Sequence, residues 1–277
     1  MQWYNNYKQE IDSALESFFD QYRLPQAETP EKTIKEACEY ATLNQGKRVR
    51  GVLALLCFDI CKTDQTPIDR FQATKSIIAL ELIHAYSLVH DDLPAMDNDE
   101  MRRGKSSTWK AYGESTGILT GDTLNTIAFE AIAEHAPDYA IRPLIQILAS
   151  KSGINGMIGG QMRDLYFEDI DHTLEQLIET HRKKTGELII ASAMVGSILA
   201  KCSHEKRKLV EQYAEKIGLT FQIKDDILDV EGNEKMVGKK LGKDAAHKGF
   251  IKLVGLEQSK QMIHDITEEA CRIAEQL

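Results

Sequence analysis

Apolar residues recur along this chain at helical spacing almost without interruption. Tyr4, Tyr7, Ile11, Leu15, Phe18 and Tyr22 form one stripe, and Val52, Leu55, Leu56 and Ile60 form another. No segment sustains the alternation of a strand. The pattern predicts helices near residues 3–23, 31–44, 48–61, 67–92, 116–136, 138–151, 173–200, 205–230 and 252–275, hence an all-α protein. Runs such as IIALELIHAYSLV at 77–89 are apolar on more than one face, which predicts central helices enclosed by others. No repeat, low-complexity segment or Pro/Gly/Ser-rich linker interrupts residues 1–277, so a single domain is expected. Stretches 97–115 and 231–249, rich in glycine and basic residues, are the expected flexible loops, of the kind that closes over phosphate.

Composition narrows the classes. A hydrophobic content of 42% is ample for a sizeable core. The 43 acidic and 34 basic residues leave a net charge of -9, which argues against a nucleic-acid partner or an anionic membrane surface. An anionic ligand must then rely on a local basic patch or on metal ions. Cys38, Cys57, Cys61, Cys202 and Cys271 are scattered, with no spacing suited to zinc, and read as reduced thiols. The polar start MQWYNNYKQEID lacks a secretory signal, and LIIASAMVGSILA at 188–200 is too short for a bilayer, so a cytoplasmic location without membrane insertion is expected.

Two aspartate clusters carry the candidate chemistry: VHDDLPAMDNDEMRRG at 89–104 and KDDILDVEG at 224–232. On a helix, Asp225 and Asp229 share a face with Asp226 beside them, a repulsion costing about 0.2–0.5 kcal/mol per pair that a cation offsets. In the first cluster Pro94 disfavours helical geometry at Leu93, so Asp91 and Asp92 should end a helix and Asp97 should return from a turn. One cluster alone is most simply a solvated face. Both, however, follow strongly apolar helical segments, and buried carboxylates need partners. Oxygen-only donors favour a hard cation, and magnesium, which takes one or two carboxylates and bridges to phosphates, fits better than calcium. Basic runs complete the set: GKRVR at 46–50, RRG at 102–104, RKKTG at 182–186 and VGKKLGKD at 237–244. With metal-binding carboxylates they describe a cavity that takes one diphosphate through magnesium and a second one directly.

As an ordered set, GKRVR, ALELIHAYSLVHDDLPAMDNDEMRRGKSST, the GD of ILTGDTLNTIAFE, GGQMRDL, KTGEL, GLTFQIKDDILDVEG and GKKLGKD followed by HKGF resemble the trans-prenyl diphosphate synthases, especially the bacterial enzymes that make farnesyl diphosphate. The correspondence runs from about residue 40 to about 265. It implies antiparallel helices around a deep central cavity, usually in a homodimer. It also implies head-to-tail condensation of isopentenyl diphosphate with dimethylallyl and then geranyl diphosphate. Three magnesium ions would bind the allylic substrate, with Asp91, Asp97 and Asp225 as direct ligands and Asp92, Asp226 and Asp229 as closer or water-mediated partners.

By the same resemblance Arg102, Lys184 and Lys239 hold the allylic diphosphate, while Gly46, Lys47, Arg50, His84 and Arg103 form the metal-free isopentenyl diphosphate pocket. Thr185 and Gln222 line the region where the allylic cation forms, and the released diphosphate is the expected proton acceptor. A bulky Tyr86 below the first cluster, with the spacing of DDLPAMD, goes with a product of fifteen carbons. Tyr86 lies five residues before Asp91, about 7.5 Å along a helix. Helical period alone puts Ser87 beneath Asp91, so geranylgeranyl diphosphate stays the alternative product.

A class I terpene cyclase would also ionise a prenyl diphosphate but has no use for the second pocket, and a non-catalytic partner subunit needs neither. Three departures from the family pattern stand out: Trp109 where histidine is common, Gly249 where serine or threonine is common, and an end at Leu277 without the expected final helix.

Overall fold

The computed structural model of the chain describes residues 2–22, 29–44, 46–167, 170–231 and 249–277. In chain order the helices are α1 Gln2–Gln21, α2 Pro30–Leu43, α3 Val49–Cys61, α4 Arg70–Asp91, α5 Thr108–Tyr112, α6 Glu114–His135, α7 Asp138–Ser152, α8 Met157–Tyr166 and α9 Leu174–His181. A π-helical turn, Arg182–Gly186, leads into α10 Glu187–Leu199, followed by α11 His204–Glu231, α12 Phe250–Val254 and α13 Leu256–Ala274. Strands β1 Met101–Arg102 and β2 Lys105–Ser106 form a minimal antiparallel hairpin. The rest of the described secondary structure is helical, as the apolar spacing predicted. Among the described residues no helix is long and apolar enough to cross a membrane. All five cysteines are free thiols, and only Cys271 is exposed.

The chain divides into two compact units. The first comprises Met1–Leu56 and Thr66–Ile145, and the second Cys57–Gln65 and Gln146–Leu277. In the first, α4 is the central helix: every residue from Ser76 to Ile83 is buried, as expected of a helix apolar on all sides. A capping box sets its start. The Asp69 side chain accepts from Gln72 N at 2.8 Å, and the Gln72 side chain accepts from Asp69 N at 3.3 Å, so the helix begins at Arg70 rather than residue 67. Ile11 and Leu15 of α1 and Leu124, Ala128 and Ile132 of α6 complete this core. α4 packs most extensively on α6, where His90 enters a notch at Gly121 and reaches the Ile118 carbonyl at 3.0 Å.

In the second unit α10 is buried along nearly its whole length and packs against α11, which in turn packs against α13. Leu177, Ile223, Ile227 and Phe250 form a cluster that ties α9, α11 and α12 together.

Three expectations are corrected. Residues 97–115, read as a flexible loop, carry the hairpin and α5, because Arg103 (φ 53°) and Gly104 (φ 79°) supply the two left-handed residues of a tight hairpin turn. The segment 173–200, read as one helix, is α9, the π turn and α10. Helix α8 was not anticipated at all. The second expected loop, 231–249, lies outside the described residues except at its two ends.

A β-carbon on Gly121 would lie 2.1 Å from His90 Nε2, far inside contact distance. Gly121→Ala is therefore expected to lower stability by about 1–3 kcal/mol in urea unfolding. In a His90→Ala background the same substitution should cost less than about half as much, because the notch is then empty.

Candidate active site

The loop before α3 folds around Arg48, which adopts φ 52° and is 6% exposed. Its Nε donates to Asp12 Oδ1 and its Nη2 to Thr42 O, both at 2.7 Å, and its Nη1 lies 3.6 Å from Glu81 Oε2. Glu81, 4% exposed on α4, also accepts from Gly51 N at 2.8 Å. Lys47 is exposed, and its carbonyl accepts from the Tyr4 hydroxyl. Gly46 is buried, and a β-carbon there would come within 2.9 Å of Arg103 Nη1. The backbone can approach the guanidinium only because the side chain is missing.

The hairpin sends the two adjacent arginines in different directions. Arg102, on β1, grips Asp92 with Nε at 2.9 and 3.2 Å and with Nη2. Arg103, in the turn, reaches Gly46. Burial works against the Arg102 charge, but Asp92, with Asp99 and Asp91, outweighs it and raises its pKa. Asp92 is 2% exposed, so its carboxylate serves the arginine here rather than facing open solvent.

Arg50 and His84 differ from these paired groups. The Nε of Arg50 and the Nδ1 of His84 are buried without a hydrogen-bond partner among the described residues. Burial, with help from Arg103 and against Glu81, pushes the Arg50 pKa down to about 10. Burial and then Arg50, Arg103, Arg102 and Arg48 hold His84 well below the usual histidine range, so it is neutral at pH 7. Buried nitrogens without an acceptor among the described residues, grouped with cations, have the chemistry to hold an anion.

Beyond Asp91 the chain turns as Pro94 implied. Asp97 N donates to Asp91 O at 2.8 Å, and Asn98, at φ 50°, donates to Leu93 O at 3.1 Å. The half-buried Asp91 and the exposed Asp97 are thereby brought together. Trp109 secures the following loop through Nε1–H to Asp99 O at 3.0 Å. Tyr86 is buried edge-on to His90, at 6.0 Å between rings. Its hydroxyl has no partner among the described residues, and burial, then Asp91, raises its pKa to about 12. Ser87 spends its hydroxyl on His84 O of its own helix, at 3.0 Å.

In the second unit the basic RKKTG run is the π turn itself. Such turns widen a helix by one residue and recur at functional positions. Here it presents Lys184 Nζ to Asp164 Oδ2 at 2.6 Å and Thr185 Oγ1 to Gln222 Oε1 at 3.1 Å. Gln222 Nε2 continues to Asp226 Oδ1 at 3.3 Å, and Asp226 Oδ2 accepts from Phe250 N at 2.9 Å. Gly160 of α8 makes room for the turn, since a β-carbon there would lie 2.1 Å from Lys184 N.

Asp225 and Asp229 share the face of α11 that their spacing predicted. Asp225 is half-buried, while Asp229 is buried with Oδ2 lacking a hydrogen bond among the described residues. Lys239 lies outside the described residues. The partners Asp12, Arg48, Glu81 and Asp164 were not singled out from sequence.

Among the described residues no three Asp, Glu, His or Cys side chains converge tightly enough to hold a metal alone. The donors at each motif are carboxylate oxygens in ones and twos. That suits magnesium, which completes its shell with water and phosphate oxygens, and does not suit a metal needing a full protein cage.

Comparison with known proteins agrees with this chemistry. The polyprenyl synthetase family model matches residues 31–272. A farnesyl diphosphate synthase of Micrococcus luteus is 40% identical over 256 residues, covering 90% of this chain and 84% of that protein. A chloroplastic geranylgeranyl pyrophosphate synthase of Arabidopsis thaliana is also 40% identical, covering 86% of this chain and 67% of that one. The crystal structure of a geranyltransferase from Helicobacter pylori, complexed with magnesium and isoprenyl diphosphate, superposes with a TM-score of 0.86 at 33% identity, covering 100% of this chain and 91% of that chain. The chain belongs to the polyprenyl synthetase family, and its all-α fold is that of the isoprenyl diphosphate synthases.

The depressed His84 pKa has a sign that can be checked. The unfolded chain takes up a proton at His84 near pH 6.5, where the folded chain does not, so folded stability should fall as pH drops below that value. Equilibrium unfolding between pH 7.5 and about 5 should show a shallower decline in His84→Gln than in the parent protein.

Proposed function

We propose that this enzyme is a prenyltransferase that condenses isopentenyl diphosphate with dimethylallyl diphosphate and then geranyl diphosphate, yielding farnesyl diphosphate and diphosphate. The observation that supports the reading is the cationic cluster of Gly46, Arg50, His84 and Arg103, in which Arg50 Nε and His84 Nδ1 are buried without a hydrogen bond among the described residues. It needs no metal, and its role is separate from that of the aspartate carboxylates, although Arg103 stands in the same 89–104 segment as the first cluster. A cyclase acting on one diphosphate would have no use for it, whereas a condensing enzyme must bind two.

In this reading Lys47 supplies an exposed ammonium to the isopentenyl diphosphate, and Arg50 gains the acceptor it lacks. Neutral His84 donates a proton into the same group without adding repulsion among the arginines. Asp91, Asp97 and Asp225 would hold magnesium, three ions in all, with Asp92, Asp226 and Asp229 supporting them. When bound, magnesium neutralises charge on the departing diphosphate. Arg102, Lys184 and Lys239 would steady the allylic diphosphate, with Asp92 and Asp164 holding the first two in place beforehand.

Thr185 and Gln222 are coupled by a hydrogen bond whose oxygens can face developing positive charge, and Asp226 fixes the amide's orientation from behind. Keeping water out is essential, since an allylic cation is otherwise trapped as an alcohol. Two copies of the chain are proposed to act as a homodimer, each contributing a prenyl synthase domain that spans residues 1–277. A buried aromatic at Tyr86 favours a fifteen-carbon stop over geranylgeranyl diphosphate, because a wall of that bulk limits the room beneath Asp91.

Incubation with labelled isopentenyl diphosphate, geranyl diphosphate and magnesium should give a fifteen-carbon product. Cyclic hydrocarbon from geranyl diphosphate alone would replace this reading with the cyclase. Arg50→Ala should raise the KM for isopentenyl diphosphate by about tenfold or more, the cost of a lost charged hydrogen bond. Tyr86→Ala should extend the product to twenty carbons, and an unchanged length would remove Tyr86 from that role.

A further inference from the structure

Arg48 stands in the basic run GKRVR, beside residues read as diphosphate ligands, yet its surroundings are of another kind. Each of its three guanidinium nitrogens faces a protein acceptor: Asp12 Oδ1 at 2.7 Å, Thr42 O at 2.7 Å and Glu81 Oε2 at 3.6 Å. These acceptors come from α1, α2 and α4. Arg50, two residues on, has a buried Nε with no acceptor among the described residues. The chemistry sorts the two arginines: one is already occupied by the protein, the other awaits a ligand.

The backbone of Arg48 adds a second, independent observation. Its φ of 52° lies in the left-handed region that a long side chain rarely adopts, while its carbonyl accepts from Val52 N at 2.9 Å and so begins α3. A left-handed residue there turns the chain sharply between Gly46 and the helix that carries Arg50. Such a conformation persists only where the surroundings over-determine it, and here three elements hold the side chain. Glycine would adopt the same backbone without resistance, so arginine stands at this position for its side chain.

We infer that Arg48 is a positioning residue for the isopentenyl diphosphate pocket, clamping the 46–50 turn to α1, α2 and α4 so that Gly46, Lys47 and Arg50 are held ready for the ligand. The inference rests on the two-diphosphate reading above. It assigns Asp12 and Glu81, whose carboxylates face Arg48, an effect on only one of the two substrates. The ordering cost that a loose turn would pay on binding is met by folding, which is the general advantage of a preorganised site.

The test uses the full-length chain with Arg48→Gly, which suits the backbone, and Asp12→Asn, a milder change at the half-buried outer end of the clamp. Arg48→Gly should raise the KM for isopentenyl diphosphate by about tenfold, and Asp12→Asn by about threefold, with kcat and the KM for geranyl diphosphate changing less than about threefold. Arg48→Lys, which keeps the charge but not the fork, should recover only part of the loss. Hydrogen exchange at residues 46–52 should quicken in Arg48→Gly while α4 keeps its protection. Both variants retaining the parent KM, or both substrates losing affinity together, would overturn the inference.

Calorimetric titration of isopentenyl diphosphate separates the two possible failures. A parent protein that binds it, with variants that bind equally well, overturns the clamp alone. A parent protein that neither binds nor condenses it overturns the pocket reading and the clamp together.

Discussion

The enclosure of α4 is the constraint on which the first unit depends. A helix buried on every side from Ser76 to Ile83 cannot roll or slide without opening voids, and interiors packed at crystalline density resist that. Glu81, His84, Tyr86, Asp91 and Asp92 all ride on it, at fixed rises of about 1.5 Å per residue. The helix acts as a ruler: it sets the spacing from Glu81 and His84 to Tyr86 and on to Asp91 and Asp92. Because buried charge must be partnered, the same helix recruits its surroundings. Glu81 draws in Arg48 and Gly51 N, and Asp92 draws in Arg102.

The second unit solves the same problem differently. Its Lys184 and Thr185 do not stand on a straight helix but on a one-residue widening of the backbone, the π turn, with Gln222 facing Thr185 from α11. Gly160 and Gly218 are the places where backbone meets backbone there, against Lys184 N and Gly186 Cα. The chain from Thr185 through Gln222 and Asp226 to Phe250 N then binds the turn to α11 and to the start of α12. A polar chain with each member satisfied is rigid, whereas one broken link leaves a half-buried carboxylate without its donor.

What the sequence made legible, and what it did not, divides along physical lines. Period alone placed Asp225 and Asp229 on one face, and Pro94 alone returned Asp97 to Asp91, because both are local effects of backbone geometry. The helices of the core were legible for the same reason. The π turn was not, since RKKTG carries no signature distinguishing it from ordinary helix. The hairpin was too short for a two-residue alternation to register. Arg48 was hidden because left-handed backbone is sought at glycine, and its reasons lie in Asp12, Thr42 and Glu81, far off in sequence. The pairing of Lys184 with Asp164 spans 20 positions, and nothing local announces it. Long-range partners were therefore the blind spot, while the groups they serve were visible through family resemblance.

The Arg103–Gly104 turn bears on how this protein can change over time. Most surface connections tolerate gain or loss of a residue, which is how homologous proteins drift apart in length. Here a single insertion or deletion between Met101 and Ser106 would break the register that pairs Met101 with Ser106 and Arg102 with Lys105, and with it the tight turn that parts the two arginines. A stretch that looks like an ordinary tip thus bears on an ion pair, Arg102 with Asp92, and on the approach of Arg103 to Gly46.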